Sequence, residues 1–116
     1  MREPNLLAWQ WSLYSKNHRH RTNLLIHIAT VPLFMAGVAA VILAPITGVW
    51  WLLLAGPAVM AGVMALQGRG HRLETVAPVP FEGPADIVAR ILLEQLVTFP
   101  RYVLSGAFAA AWRSGR

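Results

Sequence analysis

The residues best equipped for chemistry are four histidines, His18, His20, His27 and His71, with a carboxylate, Glu74, three positions after the last of them. Imidazole nitrogens suit iron, zinc, copper or nickel, and a mixed histidine–carboxylate set with open positions is the signature of a non-haem Fe(II) oxygenase. On a helix His20 and His27, seven residues apart, face nearly the same way. Asn23 lies between them, where it can hydrogen-bond a ligand imidazole from behind. His71 and Glu74 share a face if their segment is helical. The same histidines also suit structural polar contacts between helices or proton handling. A haem held by two axial histidines needs one from each side, and the second long apolar segment contains none. The chain has no cysteine, which excludes disulfides and thiolate metal sites.

Residues this far apart meet only if long elements bring them together. Hydrophobic residues make up 56% of the 116-residue chain and charged ones 13%, against about 45–50% and about 25% in an average soluble domain. No Lys, Arg, Asp or Glu occurs from Thr22 to Gln67. The composition therefore predicts an all-α integral membrane protein, folded as one domain over residues 1–116. Its centre is an antiparallel two-helix transmembrane hairpin, with spans at about 22–44 and 49–66. At a rise of about 1.5 Å per residue both are long enough to cross a hydrocarbon core of about 30 Å, the second only just. Pro45 and Gly48 make the turn, and Trp50 and Trp51 form an interfacial belt. Ala36 and Ala40 on one span, with Ala58 and Gly62 on the other, have the small-residue spacing that lets backbones approach. Each span carries an internal proline, Pro32 or Pro57.

Flanking segments are shorter and more polar. Asn5 to Lys16 reads as an interfacial helix capped by Asn5, with Trp9, Trp11 and Tyr14 at head-group depth. Residues 67–83 read as a polar loop carrying His71 and Glu74. Pro84 is placed to start an amphipathic helix over about 84–98. Asp86, Arg90 and Glu94 recur on it every four residues, so Glu94 is expected to pair with Arg90. The apolar segment 99–112 is too short to span alone, and residues 95–112 span only with Arg101 inside. An interfacial or re-entrant helix is expected there.

Lys16, Arg19 and Arg21 precede the first span and Arg69 and Arg72 follow the second, while the turn between the spans is uncharged. The positive-inside rule then puts both termini and all four histidines at the cytoplasmic side. A net charge of +5 with arginines dispersed among Trp and Tyr fits anionic lipid rather than nucleic acid. The apolar run is too long and starts too late for a cleavable leader. A hairpin this small leaves surface for a homodimer.

These residues also carry a resemblance. Tyr14-x3-His18-x-His20-x2-Asn23-x3-His27-x4-Pro32, then Gln67-Gly68-x-Gly70-His71-x2-Glu74, resembles the family of the fungal 2-hydroxy fatty acid dioxygenase. Arg90-x3-Glu94-Gln95, Phe99-Pro100-Arg101 and Ser105-Gly106 resemble its bacterial branch. The similarity covers roughly residues 12–107. It implies a multi-pass membrane enzyme, in a bacterium at the inner membrane, that uses Fe(II) and dioxygen to shorten 2-hydroxy fatty acids by one carbon. His18, His20, His27 and His71 are the implied iron ligands, Glu74 a further candidate, and His27 and His71 the residues on which catalysis rests. Arg72, or Arg69, would pair with the substrate carboxylate. The competing readings are a non-enzymatic membrane scaffold with structural histidines and a proton or metal carrier. If His27 and His71 lie too far apart to share an ion, the oxygenase reading loses its basis.

Overall fold

The computed structural model describes residues 5–115, so residues 1–4 and 116 of the expected single unit lie outside the described residues. All described elements are helical. They are α1 (Leu6–Tyr14), a 3-10 turn (Ser15–Asn17), α2 (Arg21–Thr47), α3 (Leu52–His71), α4 (Pro84–Leu93), a π turn (Glu94–Thr98), α5 (Phe99–Leu104) and α6 (Ala107–Ser114).

The hairpin of α2 and α3 reaches further than the sequence suggests at its open end, whereas at the turn α2 runs on to Thr47 and α3 starts later than expected, at Leu52 rather than at 49. Pro45 does not stop α2, which runs to Thr47 and ends where Gly48 adopts a left-handed conformation, φ 74°, with its N–H donating to the Ala44 carbonyl. Thr47 Oγ1 donates to the Leu43 carbonyl at 2.8 Å, adding a bond in the turn around the proline. At the other end Gly68-Arg69-Gly70-His71 is the last turn of α3, not the start of a loop. Two glycines lower the intrinsic helix propensity there, but packing overrides it. A Cβ on Gly70 would overlap Asn23 of α2, so only glycine fits where the two helices meet.

The second close approach lies near mid-hairpin. A Cβ on Gly37 would sit 2.9 Å from the Gly56 carbonyl oxygen, and one on Gly56 would sit 2.6 Å from that of Gly37. The crossing therefore uses Gly37 and Gly56, with Ala40 alongside. Ala36, Ala58 and Gly62 are exposed, which corrects the expected small-residue seam. The crossing rests on one glycine from each helix rather than on a four-residue repeat, because two residues without Cβ allow a closer approach than alanine does.

The remaining helices gather around one end of the hairpin. Asn5 caps α1 by accepting from the Ala8 N–H at 3.1 Å, as expected. Its buried face, Gln10 and Tyr14, packs with Leu24, Val31, Phe99 and Tyr102. Pro84 opens α4 at its first turn. Helix α4 does not stop at Pro100 but runs through the π turn into α5, and it breaks only at Ser105-Gly106, where Gly106 has φ 87°. This continuous helix over 84–104 carries Asp86, Arg90, Glu94 and Arg101, and among the described residues only α2 and α3 are both long and apolar enough to cross a membrane. Arg101 is exposed and stacks over Trp11, 4.0 Å from the ring centre. α6 returns to the start of α2, where Arg21 Nε donates to the Trp112 carbonyl at 2.8 Å.

The π turn has a cause in the sequence. Arg90, Glu94, Thr98 and Tyr102 all face inward at intervals of four. Each such step over-rotates an α-helix by about 40°, so three would carry Tyr102 about 120° off the face. A turn closed by an i→i+5 bond, here Phe99 N–H to the Glu94 carbonyl, takes up the drift. It falls just before Pro100, whose missing N–H cannot serve an α-helical bond.

Overpacking the crossing tests this hairpin. Gly56→Leu should destabilise the protein by about 1–3 kcal/mol, whereas Gly62→Leu, in open space, should change stability by no more than about 0.5 kcal/mol. Unfolding in detergent micelles reads the difference.

Candidate metal centre

Four segments converge at the end of the hairpin where the chain enters α2 and leaves α3. One ligating atom from each of His18, His27, His71 and Glu94 lies within 4.8 Å of the others. His18 comes from the loop after α1, His27 from the second turn of α2, His71 from the last residue of α3 and Glu94 from the first residue of the π turn. The three imidazole rings have centroids 4.7, 4.7 and 5.0 Å apart and stand nearly perpendicular to one another. His27 and His71 are thus close enough to share one ion.

Backbone carbonyls fix how the first two rings are presented. His18 Nδ1 lies 2.8 Å from the Tyr14 carbonyl and His27 Nδ1 lies 2.9 Å from the Asn23 carbonyl. A carbonyl only accepts, so each Nδ1 carries the proton and each Nε2 lone pair is left free. Those two Nε2 atoms and Nδ1 of His71 are buried and have no hydrogen-bond partner. The Glu94 carboxylate faces them, with Oε2 3.5 Å from His18 Nε2 and 3.6 Å from His27 Nε2. Tyr14 holds that carboxylate by donating from its hydroxyl at 2.9 Å, and its ring stacks on His18 at 3.7 Å.

Electrostatics agree with a set of lone pairs turned inward. Burial pushes His18 below its ordinary pKa, and Glu94 offsets only part of this, so the imidazole is neutral. Burial alone would raise the Glu94 carboxyl, but the His18 and His27 rings that face it outweigh burial and hold it well below the usual range. Buried imidazole nitrogens without partners are costly in a folded protein. A divalent cation among three nitrogens and a carboxylate oxygen would satisfy all of them, and the donor types suit iron or zinc.

The sequence and the structure agree on His18, His27 and His71 and differ on the rest. His20 caps α2, its Nδ1 accepting from the Thr22 N–H at 3.2 Å, and lies outside the group. Glu74 is turned to the same helix terminus. Its carboxylate accepts from the N–H groups of Arg19 and His20 at 2.9–3.0 Å and from Asn23 Nδ2 at 2.8 Å. Burial raises its pKa, but these hydrogen bonds prevail and lower it, as befits a carboxylate at a helix N-terminus. Asn23 therefore supports the site twice, orienting His27 by its carbonyl and tying Glu74 to α2 by its amide. Arg72 lines a cavity that opens beside His71, and Arg69 is exposed and does not.

Glu94 is the member of the cluster that sequence reasoning missed. It was expected to pair with Arg90, yet Arg90 pairs with Asp86 at 3.4 Å and donates to the carbonyls of Val79 and Pro80. The signal was the four-residue recurrence itself, which continues past the charges to Thr98 and Tyr102.

A polar lock beneath the site keeps Glu94 in place. Gln67 and Gln95 exchange amide hydrogen bonds at 3.0 and 2.7 Å, and Gln67 also donates to Thr30 Oγ1. Gln67 lies one turn before His71 and Gln95 follows Glu94, so the pair joins the two ligand-bearing segments. Thr98 donates to Gln10, whose amide donates to the Arg90 carbonyl. Gln67→Leu should strand the Gln95 amide at a cost of about 1–3 kcal/mol, and adding Gln95→Leu should recover much of it. Equilibrium unfolding of the single and double variants provides the check.

Residues 5–99 match the model of a protein family described as Mpo1-like, 2-hydroxy-palmitic acid dioxygenase Mpo1-like. No curated protein and no solved structure matches the chain significantly. The family match spans α1 to the start of α5 and includes all four residues of the cluster. The chain belongs to the Mpo1-like family.

Proposed function

We propose that this protein is an Fe(II)-dependent membrane dioxygenase that shortens 2-hydroxy fatty acids by one carbon. The observation that carries the reading is the cluster of three buried, partnerless imidazole nitrogens around the Glu94 carboxylate, in a chain of a family named for such a dioxygenase.

Membrane insertion is supported by where the apolar residues lie. α2 and α3 are long and apolar enough to cross a bilayer, yet only 28% and 17% of their most apolar windows are buried. The core helices of a soluble protein would be mostly buried. Leu25, Leu33, Ile42, Leu54 and Leu66 instead point outward, which water disfavours and lipid accepts. The basic residues at the open end of the hairpin support a site at the cytoplasmic rim.

In this reading His18, His27, His71 and Glu94 hold the ion, and Fe(II) supplies the activation of dioxygen. The Tyr14 and Asn23 carbonyls keep two imidazoles in the ligating tautomer, and the Tyr14 hydroxyl fixes the carboxylate. These four donors would hold the ion, and Arg72, which lines the cavity beside His71, offers a guanidinium fork to the substrate carboxylate.

The same donor count also suits a closed four-coordinate structural zinc, and this is the second reading. Dioxygen uptake separates the two. Iron-loaded protein in lipid nanodiscs should consume dioxygen with 2-hydroxypalmitate and yield an acid one carbon shorter. Glu94→Ala and His71→Ala should fall to background, while His20→Ala keeps activity. Uptake absent from fully iron-loaded wild type would sink the dioxygenase. Tyr14→Phe, which frees the Glu94 carboxylate, should weaken metal affinity by about 10–100-fold in titration.

A further inference from the structure

A cavity of about 550 Å³ lies between the last two turns of α3, the segment 77–81 and α4. His71 and Glu94 form its inner wall, and Gln67 and Arg72 also line it, so its polar end is the metal centre. Met64, about two turns before His71, and Ile91, about one turn before Glu94, also line it. The same two side chains line a second, apolar groove of about 200 Å³ with Phe34, Met60, Val88 and Leu92. Met64 and Ile91 are thus the common border between a cavity that holds His71, Arg72 and Glu94 and an apolar trough between the hairpin and α4. Val88 and Ile87, beside that trough, are exposed on the apolar face of α4.

The roof over the polar end is pinned. Arg90 donates to the Val79 carbonyl at 2.8 Å and the Pro80 carbonyl at 3.1 Å. Its guanidinium lies over the Phe81 ring at 4.4 Å and the Trp9 ring at 5.0 Å. Two prolines remove backbone donors from this strap, and Arg90 engages its acceptors, so the strap can border an apolar ligand at little polar cost. With its fork committed to the strap, Arg90 is not the carboxylate partner, which leaves Arg72.

We propose that these two spaces, which meet at Met64 and Ile91, together form the binding site of a single long-chain 2-hydroxy acid. The hydroxyl end lies against His71 and Glu94, the carboxylate under Arg72, and the chain leaves between Met64 and Ile91 along the trough toward lipid. Met64, Ile91 and Val88 then set which chain lengths bind well. The inference rests on the 2-hydroxy acid reading above and names where that substrate lies. A polarity gradient of this form selects an amphiphile with one anionic end, and a membrane opening admits it without a passage through water.

Photo-crosslinking in nanodiscs tests the placement without turnover. A 2-hydroxypalmitate bearing a mid-chain diazirine should label the peptides containing Met64 and residues 87–92, and excess 2-hydroxypalmitate should compete. Bulk phospholipid should not compete; if it does as well, the trough is a general lipid site and the proposal falls. Labelling spread evenly over the outer faces of α2 and α3 would also overturn it. Ile91→Trp should cut specific labelling by tenfold or more and lower kcat/KM for long acids while sparing short ones. Val88→Trp, at an exposed position that tolerates a ring, should show the same chain-length split if Ile91→Trp fails to fold. If the probe labels these two spaces but no 2-hydroxy acid is turned over, the binding site stands and the dioxygenase reading fails. If acids are turned over with no chain-length split in either variant, the dioxygenase stands and this placement fails.

Discussion

Three imidazole nitrogens and a carboxylate buried at one point are the constraint around which the fold is arranged. Left alone they would cost the protein several unsatisfied polar groups. Each needs a separate segment to deliver it: His27 comes from regular helix in α2, and the other three segments carry local adjustments. The chain breaks after the 3-10 turn to swing His18 inward. α3 carries two glycines into its last turn so that His71 can approach α2. The helix after Pro84 widens into a π turn at Glu94. Such widened turns are common at functional sites because they re-aim side chains without ending the helix.

The hairpin supplies the rigidity these departures need. In a bilayer, apolar burial gives helices no reason to associate, so contact must come from close packing and polar bonds. Gly37 against Gly56 gives the first, and Gln67 against Gln95 and Thr30 gives the second. Glu74 completes the frame by tying the segment after α3 to the free N–H groups at the start of α2. Its negative charge sits where the helix dipole favours it.

Much of this was legible from residue types alone. An uncharged stretch of this length read as a hairpin because few other structures keep so many apolar residues together. His27 stood out because an ionisable group inside such a stretch is rarely idle. Asn5 and Pro84 marked helix starts by the chemistry of caps. What stayed hidden depended on partners distant in sequence. Glu74, three residues from a histidine, read as a ligand because nothing in the sequence says that the N-terminus of α2 lies beside it. Glu94 read as a surface ion-pair partner because a four-residue spacing to Arg90 is the ordinary sign of one. Only the wider recurrence through Tyr102, with Pro100 just beyond the turn, pointed to a widened helix. Gly37 and Gly56, which make the crossing, were passed over for Ala36, Ala40, Ala58 and Gly62, since small-residue spacing does not reveal which face meets the partner.

In the proposed enzyme Glu94, and not Glu74, completes the metal site. Iron content of anaerobically purified protein, compared between wild type, Glu94→Ala and Glu74→Ala, tests this assignment. About one iron per chain is expected in the wild type, retained in Glu74→Ala and lost in Glu94→Ala, since removal of a ligand abolishes a site that a helix cap only supports. Iron kept in Glu94→Ala and lost in Glu74→Ala would contradict it.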